Sequence, residues 1–128
     1  MDQTVEYCNS TASTVIAMIE SVDAVQAVDE IASVDGVDML LIGSADLTID
    51  MGIPGQFRSQ QYRNAVETVG RTCHEKGKVL GIAGVYDQPD IHEWMINEVG
   101  VKFMLLAQDA SSIASGAARA VQAVPAVK

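Results

Sequence analysis

The sequence has few basic residues and no long apolar run. The chain has eight Lys and Arg residues and 17 Asp and Glu residues, which gives a formal net charge of −9. An acidic chain repels phosphate backbones, so nucleic acid is a poor candidate partner. No apolar run approaches the roughly 18–20 residues that span a bilayer, and residues 1–10 lack the basic and then apolar pattern of a signal peptide. We therefore expect neither a nucleic-acid nor a membrane partner.

Cysteine is also scarce, and its placement indicates no metal or redox motif. Cys8 and Cys73 fit no CxxC or ligand spacing. We predict two free thiols in a reducing compartment, which favours a cytoplasmic location. The length of 128 residues suits a single domain, and a hydrophobic content of 48% is sufficient for a core.

Short apolar runs alternate with longer amphipathic stretches. The runs predicted as strands are nearly continuous in apolar residues and cover 13–20, 37–44, 78–84 and 101–107. The stretches predicted as helices cover 21–36, 58–77, 87–100 and 109–124, with Tyr62, Val66, Val69 and Cys73 on one stripe and Asp87 and Asp109 as N-caps. Continuous apolar strands between helices are typical of parallel sheets buried on both faces. The pattern predicts an α/β fold of parallel βα units, either a doubly wound sheet or part of a (β/α)8 barrel.

Two carboxylates follow neighbouring predicted strands, Glu20 after the first and Asp46 after the second. Ligands collect at the carboxyl ends of parallel strands. Strands lie about 4.8 Å apart, so carboxylates that follow adjacent strands repel each other unless a cation or proton lies between them. Mg²⁺ is commonly held by a few oxygen ligands and several waters, and Mn²⁺ or Co²⁺ accepts the same geometry. The pair therefore predicts a divalent-metal site.

The residues before Asp46 are small, and the predicted tight turn at 43–46 could bring backbone N–H groups close to an anion. A metal beside free amides suits an α-keto acid such as pyruvate, whose enolate the metal stabilises. The alternative is that Asp46 only caps the helix that follows. Spacing alone leaves both interpretations open.

The stretch "MIESVDAVQAVDEIASVDGVDMLLIGSADLTIDMG" at 18–52 resembles the metal-dependent HpcH/HpaI aldolases, whose pattern is an "IET"-like strand end followed by "I…VDGVD…IGPADLS…MG". The similarity continues more weakly through "GKVLGIAG" and "VKFMLLAQDASSIASGAARA". The resemblance implies a class II aldolase on a (β/α)8 barrel, with residues 1–128 as its C-terminal half, strands five to eight. Such an enzyme forms or cleaves carbon–carbon bonds between a pyruvate-type enolate and an aldehyde.

Carried over by position, the resemblance implies Glu20 and Asp46 as ligands of Mg²⁺ or Mn²⁺, with Co²⁺ as a further option. It implies the backbone amides of Ala45 and Asp46 as the site of the pyruvate carboxylate, with Gly43 and Ser44 in the same substrate-binding turn. The family's Pro is replaced by Ser44, and its substrate-binding Gln by Met18, which cannot donate a hydrogen bond.

The family's catalytic His and Arg lie in the first half of the barrel, so we expect no catalytic residue on this chain and weak or no turnover from it alone. His74 and His92 are predicted to be surface or packing residues, Asp50 a turn or cap residue, and the arginines solvated charges (Arg58, Arg63, Arg71 and Arg119). The family exchanges its terminal helix between subunits, which implies a homo-oligomer or association with a complementary half-barrel.

Two other functions remain open. The first is a non-catalytic module that binds metal and keto acid or docks on a partner, consistent with Met18 and the missing His and Arg. The second is the related citrate-lyase-β-like branch that acts on acyl-CoA thioesters. The "GSADL" turn at 43–47 favours the aldolase branch over it.

Overall fold

Four parallel strands form one sheet in the computed structural model, which describes residues 2–125. The strands lie in chain order and are β1 (Ile16–Ile19), β2 (Met39–Gly43), β3 (Val79–Ala83) and β4 (Phe103–Met104). All three neighbouring pairs are parallel, so the predicted α/β fold of parallel βα units is confirmed. Each strand is shorter than the apolar run that predicted it.

Helices fill the connections between the strands. In chain order they are α1 (Gln3–Tyr7), α2 (Val22–Gln26), α3 (Val28–Ala32), α4 (Ser44–Asp50), α5 (Gln60–Lys76), α6 (Pro89–Trp94) and α7 (Asp109–Gln122). The π-helical turns Cys8–Ala12 and Met95–Val99 extend α1 and α6. No helix within residues 2–125 is both long and apolar enough to cross a membrane.

The predicted helix over 21–36 is divided in two at Ala27, whose backbone (φ −89°, ψ 8°) leaves the α region. Ser21 caps α2 by accepting a hydrogen bond from the Ala24 N–H at 3.2 Å. Asp50 accepts another from the Val22 N–H at 2.7 Å, which confirms its predicted cap role. The predicted tight turn at 43–46 is instead the start of α4, because the chain enters a helix directly from β2.

Helix α5 provides the largest contact with the sheet. Its predicted stripe is buried as expected, with Tyr62, Val66 and Val69 fully inaccessible and Cys73 nearly so. The helix ends at Gly77, whose positive φ of 66° is favourable for glycine and unfavourable for other residues. The stripe packs in one apolar core with the strands and the helices α4 and α6.

Both predicted aspartate N-caps are wrong. Asp87 has a positive φ of 54°, whereas an N-cap residue is usually extended, and Gln88 takes the position before α6. Asp109 is the first residue of α7, and its carboxylate accepts a hydrogen bond from the Ala110 N–H at 2.7 Å. The residue before it, Gln108, occupies the cap position without a side-chain hydrogen bond.

The histidines have the predicted roles, and two arginines make contacts that the sequence did not reveal. His74 is exposed, and the half-buried His92 places its Nε2 2.9 Å from the carbonyl oxygen of Val85. Arg58 forms a bidentate pair with Asp90, at 2.7 and 2.9 Å, and Arg63 lies over the Trp94 ring, 4.5 Å from its centroid. Arg58 is exposed, as predicted for a solvated charge, whereas Arg63 is half-buried. The sequence did not reveal their partners, because both lie on α6, far from the arginines in sequence.

Both edge strands carry exposed apolar side chains. On β1 these are Ile16 and Met18, and at β4 they are Phe103 and Leu105 just beyond it. An edge strand also presents unpaired backbone groups, so it is a natural pairing surface.

Candidate metal and keto-acid site

The two predicted metal ligands stand at the carboxyl ends of neighbouring strands. Ile19, the last residue of β1, is opposite Ile42 of β2. Glu20, the next residue, is therefore at the same level of the sheet as Gly43, the last residue of β2. Asp46 lies three residues further on, in the first turn of α4. Both carboxylates are exposed. The structure therefore brings the predicted pair to one end of the sheet.

Gly43 makes room for the Glu20 carboxylate. A Cβ placed on Gly43 would lie 3.0 Å from Oε2 of Glu20 and 3.2 Å from Cε of Met18. Real Cβ atoms are rarely this close to other heavy atoms, so a larger residue would displace the carboxylate. Gly43 thus accommodates the Glu20 and Met18 side chains, and its predicted substrate-binding role stays a prediction.

The first turn of α4 presents backbone N–H groups at the same place. The first N–H groups of a helix have no intrahelical partner, and no side chain caps α4. Gly84 allows the loop after β3 to approach this turn, because a Cβ on Gly84 would lie only 2.9 Å from the backbone N of Ala45. The turn is therefore closely supported by backbone from the next strand.

Ser44 differs from the other predicted substrate-binding residues because its side chain is fully buried. The Tyr62 hydroxyl donates to Oγ of Ser44 at 2.6 Å. Burial raises the pKa of Tyr62 far above its usual value, and the bond to Ser44 only partly offsets this. Ser44 therefore anchors the turn to α5, and only its backbone is available for a ligand. This bond was not predicted from the sequence, although the hydroxyl of a buried tyrosine usually needs a hydrogen-bond partner.

A cavity of about 160 Å³ opens beside these residues. We call it the strand-end cavity. Its lining residues are Met18, Gly43, Ala45, Asp46, Ala83, Gly84, Tyr86 and Gln108, and Glu20 is not among them. Three of the predicted substrate-binding residues thus line one cavity. Met18 replaces the hydrogen-bonding side chain of the family's pattern with an apolar one, as the sequence indicated.

The donor chemistry fits a hard divalent cation. Across residues 2–125, His, Cys, Asp and Glu form no group of three or more that could hold a metal. The candidate ligands on this chain remain the two predicted carboxylates, those of Glu20 and Asp46. Mg²⁺ is usually bound through one or two carboxylates together with waters and substrate oxygens, and Mn²⁺ accepts the same oxygen donors. Asp46 lines the strand-end cavity, and Glu20 is exposed at the same end of the sheet, so the two supply oxygen donors of the required kind.

Comparison with known proteins gives matches over most of the chain. The sequence model of the HpcH/HpaI aldolase/citrate lyase family matches residues 3–115. The 4-hydroxy-4-methyl-2-oxoglutarate aldolase of Chaetomium globosum is 44% identical over 120 residues, which are 94% of this chain and 45% of that protein. The 4-hydroxy-2-oxo-heptane-1,7-dioate aldolase of Salmonella paratyphi C is 31% identical over 83% of this chain and 39% of its own length.

The fold agrees with the sequence match. The crystal structure of an HpcH/HpaI aldolase from Desulfitobacterium hafniense superimposes with a TM-score of 0.81 at 29% identity, covering 98% of this chain and 49% of that one. The chain thus spans less than half the length of the two curated relatives above. With a family match over 113 of its residues, counted from 3 to 115, the chain belongs to the HpcH/HpaI aldolase/citrate lyase family.

Proposed function

We propose that this chain carries the metal-binding and keto-acid-binding part of a metal-dependent aldolase, an aldehyde-lyase. The reaction forms or cleaves a carbon–carbon bond between a pyruvate-type enolate and an aldehyde. The observation that carries this proposal is the placement of Glu20 level with Gly43, next to Asp46 and the uncapped first turn of α4. The names of the relatives, which are aldolases of 2-oxo acids, support the same reaction class.

Each residue of the site has a role that follows from its position. Glu20 and Asp46 would hold Mg²⁺ or Mn²⁺, with Co²⁺ as an alternative. A bound divalent cation supplies Lewis-acid polarisation of the keto oxygen. The backbone N–H groups of Ala45 and Asp46 bind the keto-acid carboxylate, as preorganised donors near a helix start favour anions. Gly43 leaves the space that Glu20 occupies, and Ser44 holds the turn against α5.

No histidine of the described residues is available as a general base at this site. His74 is exposed on α5, and the Nε2 of His92 is engaged with the Val85 carbonyl. Neither residue lines the strand-end cavity. The group that moves the proton would then come from another segment, another subunit or a water, and we expect weak or no turnover by these 128 residues alone.

A second candidate function is a binding or interaction module without turnover. The exposed apolar residues at both sheet edges favour it, namely Ile16 and Met18 on one side and Phe103 and Leu105 on the other. Such edges suit a second copy of the chain or a complementary half-barrel. In either function the free thiols of Cys8 and Cys73 support the proposed cytoplasmic location.

Titration calorimetry with Mn²⁺, with and without pyruvate, tests the proposal. We expect the wild-type chain to bind Mn²⁺ and to bind it more tightly with pyruvate present, since the two ligands share one site. Asp46→Asn removes a charged ligand and should weaken Mn²⁺ binding by at least about tenfold, or about 1.4 kcal/mol. Unchanged Mn²⁺ affinity in this variant would mean that Asp46 is not a ligand.

Asp50→Asn is the matched control. It makes the same chemical change on the same helix, and the amide oxygen can still accept the hydrogen bond from the Val22 N–H. We expect wild-type Mn²⁺ affinity. A well-folded wild-type chain that binds no Mn²⁺ would exclude the metal site and leave the interaction module as the surviving function.

A further inference from the structure

The loop after β3, residues 84–87, contributes one side chain to the strand-end cavity, that of Tyr86. Tyr86 is half-buried and lines this cavity together with Ala45 and Asp46. It also borders a larger cavity of about 270 Å³. Tyr86 therefore lies beside the proposed keto-acid position, and the proposed function leaves it without a role.

The backbone of this loop has an uncommon conformation. Gly84 has a φ of 83°, and Asp87 has a φ of 54°. Residues other than glycine seldom adopt this left-handed region, which Asp and Asn tolerate best, and those that do are concentrated at binding and catalytic sites. These two positions lie on either side of Val85 and Tyr86, so they set the direction in which the tyrosine leaves the loop.

Two contacts hold the loop in place. The Val85 side chain is buried in the apolar core, and the Val85 carbonyl oxygen lies 2.9 Å from Nε2 of His92. A carbonyl oxygen only accepts, so Nε2 of His92 carries the hydrogen of this bond. Tyr86 thus follows a residue that is fixed at both its side chain and its carbonyl group, which limits the movement of the tyrosine.

The Tyr86 hydroxyl is available as a hydrogen-bond donor. Nε2 of Gln108 donates to its oxygen at 3.5 Å, at the long limit of a hydrogen bond. The tyrosine oxygen is the acceptor in this contact, and residues 2–125 offer no acceptor for its own hydrogen. A ligand oxygen in the cavity can therefore receive a hydrogen bond from Tyr86.

We propose that Tyr86 contacts substrate in the strand-end cavity, where its hydroxyl donates a hydrogen bond to the aldehyde oxygen. This oxygen becomes the 4-hydroxyl of the product when the carbon–carbon bond forms, and it gains negative charge on the way, which a fixed donor stabilises. His92 is a positioning residue that acts through Val85. The inference rests on the proposed function, because it needs a keto acid held at Ala45 and Asp46.

Calorimetry with Mn²⁺ and two matched keto acids tests the contact. 4-Hydroxy-2-oxopentanoate is the adduct of pyruvate and acetaldehyde, and 2-oxopentanoate lacks only its 4-hydroxyl. We expect the wild type to bind one enantiomer of the hydroxy acid at least about fivefold more tightly than 2-oxopentanoate. Tyr86→Phe should bind the two acids equally and keep wild-type affinity for pyruvate, which has no such hydroxyl.

Three further variants make the test specific. Tyr7→Phe makes the same change at an exposed tyrosine outside the cavity, and it should keep the preference for the hydroxy acid. His92→Gln retains a donor for the Val85 carbonyl and should also keep the preference. His92→Leu removes that donor and should reduce the preference while pyruvate affinity stays unchanged. A wild-type preference in His92→Leu would overturn the positioning role.

The outcomes separate this inference from the proposed function. If neither pyruvate nor the longer keto acids bind in the presence of Mn²⁺, the proposed function fails and the Tyr86 contact falls with it. If the keto acids bind but the wild type prefers neither enantiomer of the hydroxy acid, only the Tyr86 contact is overturned. A preference that persists in Tyr86→Phe has the same consequence.

Discussion

The hydrogen bond between Tyr62 and Ser44 can be tested by removing its donor. In Tyr62→Phe the ring remains, including its edge-on contact with Phe57 at 5.5 Å between centroids, so no cavity forms. The Ser44 hydroxyl, which is fully buried, loses its partner. A lost bond that leaves a buried hydroxyl unpaired costs about 1–3 kcal/mol. We expect the free energy of unfolding to fall by about 2 kcal/mol, which corresponds to a decrease in Tm of about 8 °C for a domain of this size.

Urea denaturation of four proteins provides the assay, namely the wild type, Tyr62→Phe, Ser44→Ala and the double variant. Each single variant leaves one buried hydroxyl unpaired, but the double variant leaves none. The double variant should therefore lose less stability than the sum of the two single losses, by about 1 kcal/mol or more. Losses that add within about 0.5 kcal/mol, at unchanged m-values, would refute the hydrogen bond as the cause.

Three other predictions follow from contacts described above. Gly43→Ala places a methyl group 3.0 Å from the Glu20 carboxylate oxygen and should displace that carboxylate, so calorimetry should show weaker Mn²⁺ binding. Unchanged Mn²⁺ affinity would mean that Glu20 is not a metal ligand. Burial raises the pKa of the Cys73 thiol to about 11, so alkylation at Cys73 should be slow at pH 8 and accelerate as pH rises. Peptide mass spectrometry separates it from the exposed Cys8, and fast modification of Cys73 in folded protein at pH 8 would contradict its burial. The Arg58 guanidinium lowers the pKa of Asp90, so this pair stabilises the fold above the unfolded-state pKa of Asp90 and ceases to do so as pH falls through the lower folded-state value. In Arg58→Ala an NMR titration should find the Asp90 pKa higher than in the wild type, and an unchanged pKa would rule out the pairing in solution.

The parallel sheet was predictable because its strands are buried on both faces. Met39, Leu40, Leu41 and Ile42 are consecutive apolar residues, and all four are buried in β2. The strand ends were less predictable. Leu106 continues the apolar run of β4 but is exposed and lies outside the strand. The pairing of β4 with β3 ends at Met104, and the apolar run does not mark that end.

The candidate site was predictable only where each residue carries its own signal in the neighbouring sequence. Glu20 and Asp46 each follow an apolar run, so a parallel topology alone places them at one end of the sheet. The bond between Tyr62 and Ser44 joins residues 18 positions apart, and its partners are selected by the packing of α5 on the sheet. A helical stripe identifies Tyr62 as buried, but it does not identify what its hydroxyl contacts.

The two neighbouring cavities differ in what their walls are made of, and this difference bears on how they can evolve. The strand-end cavity depends on Gly43 and Gly84, where any side chain would collide with a neighbouring residue. Its shape is therefore fixed by the backbone and tolerates little variation. The larger cavity beside it, of about 270 Å³, is lined by loop residues such as Tyr86 and Gln108 and by side chains of α7, a helix that buries none of its residues. Single substitutions on this helix change charge and size without disturbing the core, so this wall can vary while the strand-end cavity keeps its shape.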